Sequence, residues 1–100
     1  MTPTEARGAL TRAVDDQPFW NFNRQHGYAY HLHGRHIAVV QATPAEVTPD
    51  WRYSVRDVLT GHATEHGARD GDITILLEEL NVGLTEAERK YRERLRDDRS

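Results

Sequence analysis

The chain contains no cysteine, only one lysine and only two serines among its 100 residues. Without thiols it has no disulfides, no thiolate nucleophile and no cysteine-ligated zinc, so any metal would need histidine or carboxylate ligands. No apolar run approaches the length of a membrane-spanning helix, and the first residues do not resemble a secretory signal. We therefore expect a cytoplasmic protein.

The composition is that of one small globular domain. Hydrophobic residues make up 37% of the chain and charged residues 29%, which is enough apolar surface for a single modest core. The formal net charge of -3 argues against a dedicated duplex-DNA binder. No glycine-rich phosphate loop and no serine, histidine and acid set can be recognised. We predict a single α+β domain over residues 1–100.

The most informative segment is a predicted β-hairpin over residues 27 to 42, where apolar residues alternate around a turn at Gly34 and Arg35. With a two-residue turn, the pairs from the turn outward are His33 with His36, Leu32 with Ile37, His31 with Ala38, Tyr30 with Val39, and Ala29 with Val40. The core side is predicted to carry Tyr30, Leu32, Ile37 and Val39. The other side then carries His31, His33 and His36 together with Ala29, Ala38 and Val40.

Helix signals flank the hairpin. Thr2, Pro3 and Glu5 predict a capped helix over residues 3 to 16. Apolar spacing after Thr48 and Pro49 predicts a second helix that ends at Gly61 or at Gly67. Two further helices are predicted over residues 73 to 82 and 85 to 96, with Gly83 as the stop between them. The predicted order is α-β-β-α-α-α, with the antiparallel hairpin packed on helices.

Three histidines on one hairpin face could hold a metal ion. His31 and His33 alternate on one strand, and His36 lies directly across, so His31, His33 and His36 are the candidate ligands of a zinc ion. A three-histidine zinc with an open position activates water for hydrolysis. The default expectation is that no cofactor binds and that these histidines are either polar surface residues or amphipathic packing for an element that lies across them. His62 and His66 share one face of the predicted second helix and are interpreted as charges near its C-terminus.

Aromatic and basic side chains also interleave before and within the hairpin, a composition that suits stacking on single-stranded nucleic acid. The residues are Trp20, Phe22, Arg24, His26, Tyr28, Tyr30 and Arg35. Two features weigh against this hypothesis. Tyr30 is assigned to the core, and the net charge is negative.

The last predicted helix offers a thin apolar seam of Leu84, Tyr91 and Leu95, which a second copy of the chain could cover. We expect a non-catalytic protein-binding or regulatory module that self-associates, as a homodimer, or meets another protein partner. Two alternatives stay open: a small histidine-ligated zinc protein with hydrolytic activity, and a single-stranded nucleic-acid binder.

Overall fold

A computed structural model describes residues 3–43 and 50–99 of the chain. Along the chain, one helix precedes five consecutive strands and a second helix follows them. The elements are α1 (Pro3–Asp15), β1 (Asn21–Asn23), β2 (Tyr28–His33), β3 (His36–Ala42), β4 (Trp51–Asp57), β5 (Ala63–Arg69) and α2 (Ile73–Arg99). Neither helix in these ranges has an apolar stretch that could cross a membrane.

The five strands form one antiparallel sheet in sequence order, so each strand pairs with the one before it. Three of the connections between strands contain a glycine with positive φ, namely Gly27, Gly34 and Gly61. Glycine adopts this left-handed conformation without the steric cost that a Cβ brings. At Gly34 the turn has two residues, and the register places His33 opposite His36 and Tyr30 opposite Val39. The hairpin register predicted from the sequence is therefore confirmed.

Both helices pack against the same face of this sheet, and the core lies between them. We call this the histidine face, because His31, His33 and His36 lie on it. Ala29, Ala38 and Val40 also lie on it and are fully buried, and these small side chains allow the helices to pack closely on the sheet. The core is completed by Ala6, Leu10, Ala13 and Val14 from α1, Trp20, Trp51 and Val55, and Ile73, Leu76, Leu77, Leu80, Leu84 and Ala87 from α2.

The predicted core side of the hairpin is wrong. Tyr30, Leu32, Ile37 and Val39 point away from both helices, and Leu32 is 58% exposed. Alternation specifies which residues share a face but not which face is covered. Small residues allow helix backbones to approach closely, and His31 and His36 have hydrogen-bond acceptors on α2. The more polar face of the hairpin is therefore the buried one.

The predicted helix after Pro49 is also wrong, because residues 51–57 form β4 and residues 63–69 form β5. Trp51 and Val55 are four residues apart, which fits a helix, but Tyr53 and Asp57 complete an alternating row directed toward α1 and α2. His62 precedes β5 and His66 lies within it, both exposed, so neither is near a helix end. Thr48 and Pro49, the predicted helix start, lie outside the described residues.

The two last predicted helices are one continuous helix, α2. Gly83 lies inside it rather than after its end, and the hydroxyl of Thr85 donates to the Asn81 carbonyl one turn earlier instead of capping a new helix. The buried stripe runs unbroken from Ile73 to Ala87. The observed order is α-β-β-β-β-β-α and not α-β-β-α-α-α. The α+β class is confirmed, and the first helix ends within one residue of its predicted end.

Candidate functional site

The turn of the β2–β3 hairpin is held to α2 by a buried polar contact. His36 is only 2% exposed, and its Nδ1 lies 2.7 Å from Oε1 of Glu88. The same oxygen accepts a 2.6 Å hydrogen bond from the backbone N–H of Arg35. A Cβ built on Gly34 would lie 2.5 Å from the carboxyl carbon of Glu88, so the turn also needs glycine for space. The His36 and Glu88 side chains are both buried, which suits a structural role.

A second carboxylate continues this network at the end of β4. The Arg35 guanidinium donates to Asp57 Oδ2 from Nε and to the Tyr91 hydroxyl from Nη1, each at 2.5 Å, and it lies 4.5 Å from the Tyr91 ring centroid. Asp57 Oδ1 accepts from the backbone N–H groups of Leu59 and Thr60. One arginine thus joins the hairpin turn to β4 and α2. Charge-assisted hydrogen bonds of this kind are among the stronger polar contacts in proteins.

The carboxylates of this network predict how stability depends on pH. Burial raises the pKa of Asp57, but hydrogen bonds from Thr60, Arg35 and Leu59 outweigh it and lower the pKa from 3.8 to about 2. The pKa of Glu88 is also lowered, since contacts with His36 and Arg35 outweigh its burial. A lowered folded-state pKa gives stability that is present above the unfolded-state pKa and is lost as the pH falls.

We therefore expect the free energy of unfolding to fall as the pH is lowered from about 4.5 toward 2. Urea unfolding at a series of pH values measures this fall. Asp57→Asn keeps the side-chain shape but removes the titrating group, so its stability should vary less steeply over the same range. An identical slope for the wild type and the variant would contradict the assignment to Asp57.

His31 has a different partner on α2. Oδ1 of Asn81 accepts a 2.9 Å hydrogen bond from the indole Nε1 of Trp20 and also lies 2.9 Å from Nδ1 of His31. An amide oxygen has no hydrogen to give, so the proton of this second contact is on His31 Nδ1. The ring of the exposed Phe19 stacks on His31 at 5.9 Å. Asn81 thus connects α2 to the edge of the core at two points.

The three candidate metal ligands share one face as predicted, but two of them form hydrogen bonds with side chains of α2. Nδ1 of His31 and Nδ1 of His36 point to Asn81 and Glu88, whereas His33 is exposed and its ring lies 6.2 Å from that of His31. Within residues 3–43 and 50–99, no group of three or more histidine, aspartate or glutamate side chains is placed to hold a metal ion.

The zinc hypothesis stays a prediction that a titration can test. If His31, His33 and His36 bind zinc, excess zinc should raise the melting temperature, and His33→Ala should abolish that rise because it removes the most accessible ligand. Protein prepared without a histidine tag is needed. No change in melting temperature at excess zinc would contradict the hypothesis.

The predicted dimer seam on the last helix is largely used within the chain. Leu84 is fully buried in the core, and Tyr91 contacts Arg35 and His36. Leu95 is 39% exposed. A second copy would therefore find little apolar surface on this seam.

The opposite face of the sheet, which we call the open face, is not covered by any helix of the described ranges. Its apolar part is formed by β2 and β3, with Tyr28, Tyr30, Leu32, Ile37 and Val39. The Tyr28 and Tyr30 rings lie 5.9 Å apart. Tyr30, Leu32, Ile37 and Val39 were predicted to lie in the core, so this surface was not predicted from the sequence.

The other half of the open face is basic. Arg52 and Arg56 on β4 and His66 on β5 are exposed, with Ser54 between the arginines. No aspartate or glutamate of β1–β5 lies on this face, because Asp57 and Glu65 belong to the rows on the histidine face. A shallow depression of about 570 Å³ lies over this half and is lined in part by Val39, Arg52, Arg56 and His66. The net charge of -3 therefore does not show that the open face has basic but no acidic strand residues.

No protein-family model, curated protein or solved structure matches this chain. The predicted nucleic-acid platform is divided between the two faces of the sheet: Tyr28 and Tyr30 lie on the open face, Trp20 is buried in the core, and Arg35 is paired with Asp57.

Proposed function

We propose that this chain is a non-catalytic protein-interaction module that binds a folded protein through the open face of its sheet. One observation carries the proposal: a continuous patch of tyrosine and aliphatic side chains lies on a sheet face that no described helix covers. A sheet with an apolar second face normally packs against another layer. Exposed apolar patches rimmed by polar residues commonly mark protein interaction sites.

The composition of the open face supports a protein partner. The buried centres of protein interfaces are enriched in tyrosine and arginine and depleted of lysine, glutamate and aspartate. The open face has Tyr28, Tyr30, Arg52 and Arg56, and no lysine, aspartate or glutamate of β1–β5 lies on it. The complementary surface would be apolar at its centre, with carboxylates or aromatic rings opposite the two arginines.

The polar groups of the histidine face support the non-catalytic part of the proposal. Glu88, His36, Arg35 and Asp57 satisfy one another, and no buried side-chain nitrogen or oxygen in the described ranges lacks a hydrogen-bond partner. Groups held in this way fix the position of α2 against the hairpin. Their role is to stabilise the packing on the histidine face. We therefore assign recognition to the opposite face.

Photo-crosslinking tests the proposal. The photo-reactive residue p-benzoylphenylalanine is placed at Tyr30 on the open face or, as the control, at the exposed Lys90 on α2, and the chain is irradiated in its native host. We expect a defined protein adduct from position 30 and none from position 90. The adduct partner, purified, should bind the wild-type chain, and Arg52→Glu should weaken that binding at least tenfold.

Three results would overturn the proposal. They are the absence of a protein adduct at position 30, equal yields at both positions, and an adduct with nucleic acid alone. The last would favour the single-stranded nucleic-acid binder, in which Tyr28 and Tyr30 stack on bases and Arg52 and Arg56 contact phosphates.

A further inference from the structure

We infer that the partner of the open face is a second copy of this chain, related to the first by a two-fold axis parallel to the strands. This inference rests on the proposed function, because it specifies what binds that face. The open face contains both parts of its own complement, aromatic rings on one half and arginines on the other. A surface that is its own complement suits a two-fold dimer.

The strand register gives the positions needed to test this arrangement. The central row across the open face reads Asn21, Tyr30, Val39, Ser54 and His66, from β1 to β5. On one side of it lies the row Asn23, Tyr28, Gln41, Arg52 and Ala68. On the other side lies the shorter row Leu32, Ile37, Arg56 and Ala63, from β2 to β5. The aromatic residues are on β2, the arginines are on β4, and β3 lies midway between them.

A two-fold axis parallel to the strands and centred over β3 exchanges β2 with β4 while keeping each row in place. Arg52 of one copy then lies over Tyr28 of the other, and Arg56 lies over Leu32 of the other and beside its Tyr30. A guanidinium over a tyrosine ring is a favourable cation–π contact, and the arginine stems cover apolar surface. Each aromatic half is thereby covered by an arginine half.

The other face-to-face arrangement is unfavourable. A two-fold axis perpendicular to the strands places β4 over β4, so that Arg52 of one copy meets Arg56 of the other. Neither arginine then has an aromatic or acidic partner across the interface, and two like charges are buried together. The distribution of charge across the strands therefore selects the first axis.

The size of the open face is sufficient for such a dimer. Five strands about 4.8 Å apart, three to seven residues long and about 20 Å long on average, present about 500 Å² of projected area on each copy. Two such faces bury about 1,000 Å², which is at the lower limit for a specific protein interface. Two sheets packed in this way form a sandwich with their strands about 30° from parallel.

The test uses single cysteines, since the natural chain has none. Val39→Cys lies on the proposed axis, so two copies should be joined efficiently by a short bismaleimide. Ser54→Cys and His66→Cys are in the same row, but the two copies of each lie about 10 Å and about 19 Å apart along the sheet. We expect strong crosslinking at 39, little at 54 and none at 66. Light scattering of the untreated wild type should give about 23 kDa, twice the 11.5 kDa of the chain.

Each of the other outcomes overturns the inference. Strong crosslinking at both Ser54→Cys and His66→Cys indicates the perpendicular axis, in which every position of the central row faces itself. Strong crosslinking at His66→Cys without crosslinking at Ser54→Cys indicates pairing of the exposed edges of β5 instead of the faces. A mass of 11.5 kDa at all concentrations excludes a dimer. If that monomer still gives an adduct with a different protein at position 30, the second copy is excluded as partner while the proposed function stands.

Discussion

Replacing Glu88 by alanine is expected to lower the free energy of unfolding by about 3–5 kcal/mol, measured by urea unfolding at neutral pH. The carboxylate accepts hydrogen bonds from the partly buried backbone N–H of Arg35 and from the buried His36 ring, and both donors would lose their partner. A buried donor without an acceptor costs about 1–3 kcal/mol, and removal of the side chain leaves a cavity as well. The substitution removes the Glu88 contact that holds the hairpin turn to α2.

Two variants control for other causes. Glu88→Gln retains an oxygen that can accept both hydrogen bonds, so we expect it to recover a substantial part of the lost stability. Glu78→Ala removes an exposed carboxylate from the same helix and should change stability by less than about 0.5 kcal/mol. All variants are compared at one protein concentration, because dimerisation would itself contribute to stability. A Glu88→Ala variant as stable as Glu78→Ala would contradict the role assigned to the contact.

The second large effect concerns association. Val39→Asp is expected to weaken the dimer at least about 100-fold, which corresponds to about 2.7 kcal/mol. The proposed axis passes over Val39, so two carboxylates would face each other inside an apolar interface, where both desolvation and mutual repulsion oppose burial. Sedimentation equilibrium measures the dissociation constant directly.

The matched control is Ile75→Asp, which introduces the same charge at a 53% exposed position on α2, away from the open face. Its dissociation constant should remain that of the wild type. Because Val39 points away from both helices, neither variant should alter the circular dichroism spectrum. An unchanged dissociation constant for Val39→Asp, or an equal loss for both variants, would contradict association through the open face.

The parts of the fold that depend on local chemistry could be predicted from the sequence. Glycine before Arg35 determined a two-residue turn, and this turn determined every pair of the hairpin. Thr2, Pro3 and Glu5 indicated the first helix, whose start at Pro3 agrees with the structure. Each of these signals acts within a few residues, so a single sequence contains it.

The parts that failed depend on contacts between distant residues. The covered face of the hairpin is decided by α2, whose Glu88 is 52 residues from His36 and whose Asn81 is 50 residues from His31. The four-residue spacing of Trp51 and Val55 fits a helix as well as a strand, and pairing with β3 decides in favour of the strand. Gly83 lies inside α2 because the buried apolar residues of α2 before and after it pack on the same sheet, and this packing favours one continuous helix. The open face was missed for the same reason, since its side chains were assigned to the core.

The two helices cover the face that carries the histidines, and a soluble paramagnetic probe measures this placement most directly. In the Val39→Asp variant, which should not self-associate, such a probe should strongly relax the Ile37 methyl groups on the open face. It should leave those of Val40, which is fully buried on the histidine face, almost unaffected. Strong relaxation of Val40 with protection of Ile37 would show that the helices cover the opposite face, and would contradict both the fold and the proposed binding surface.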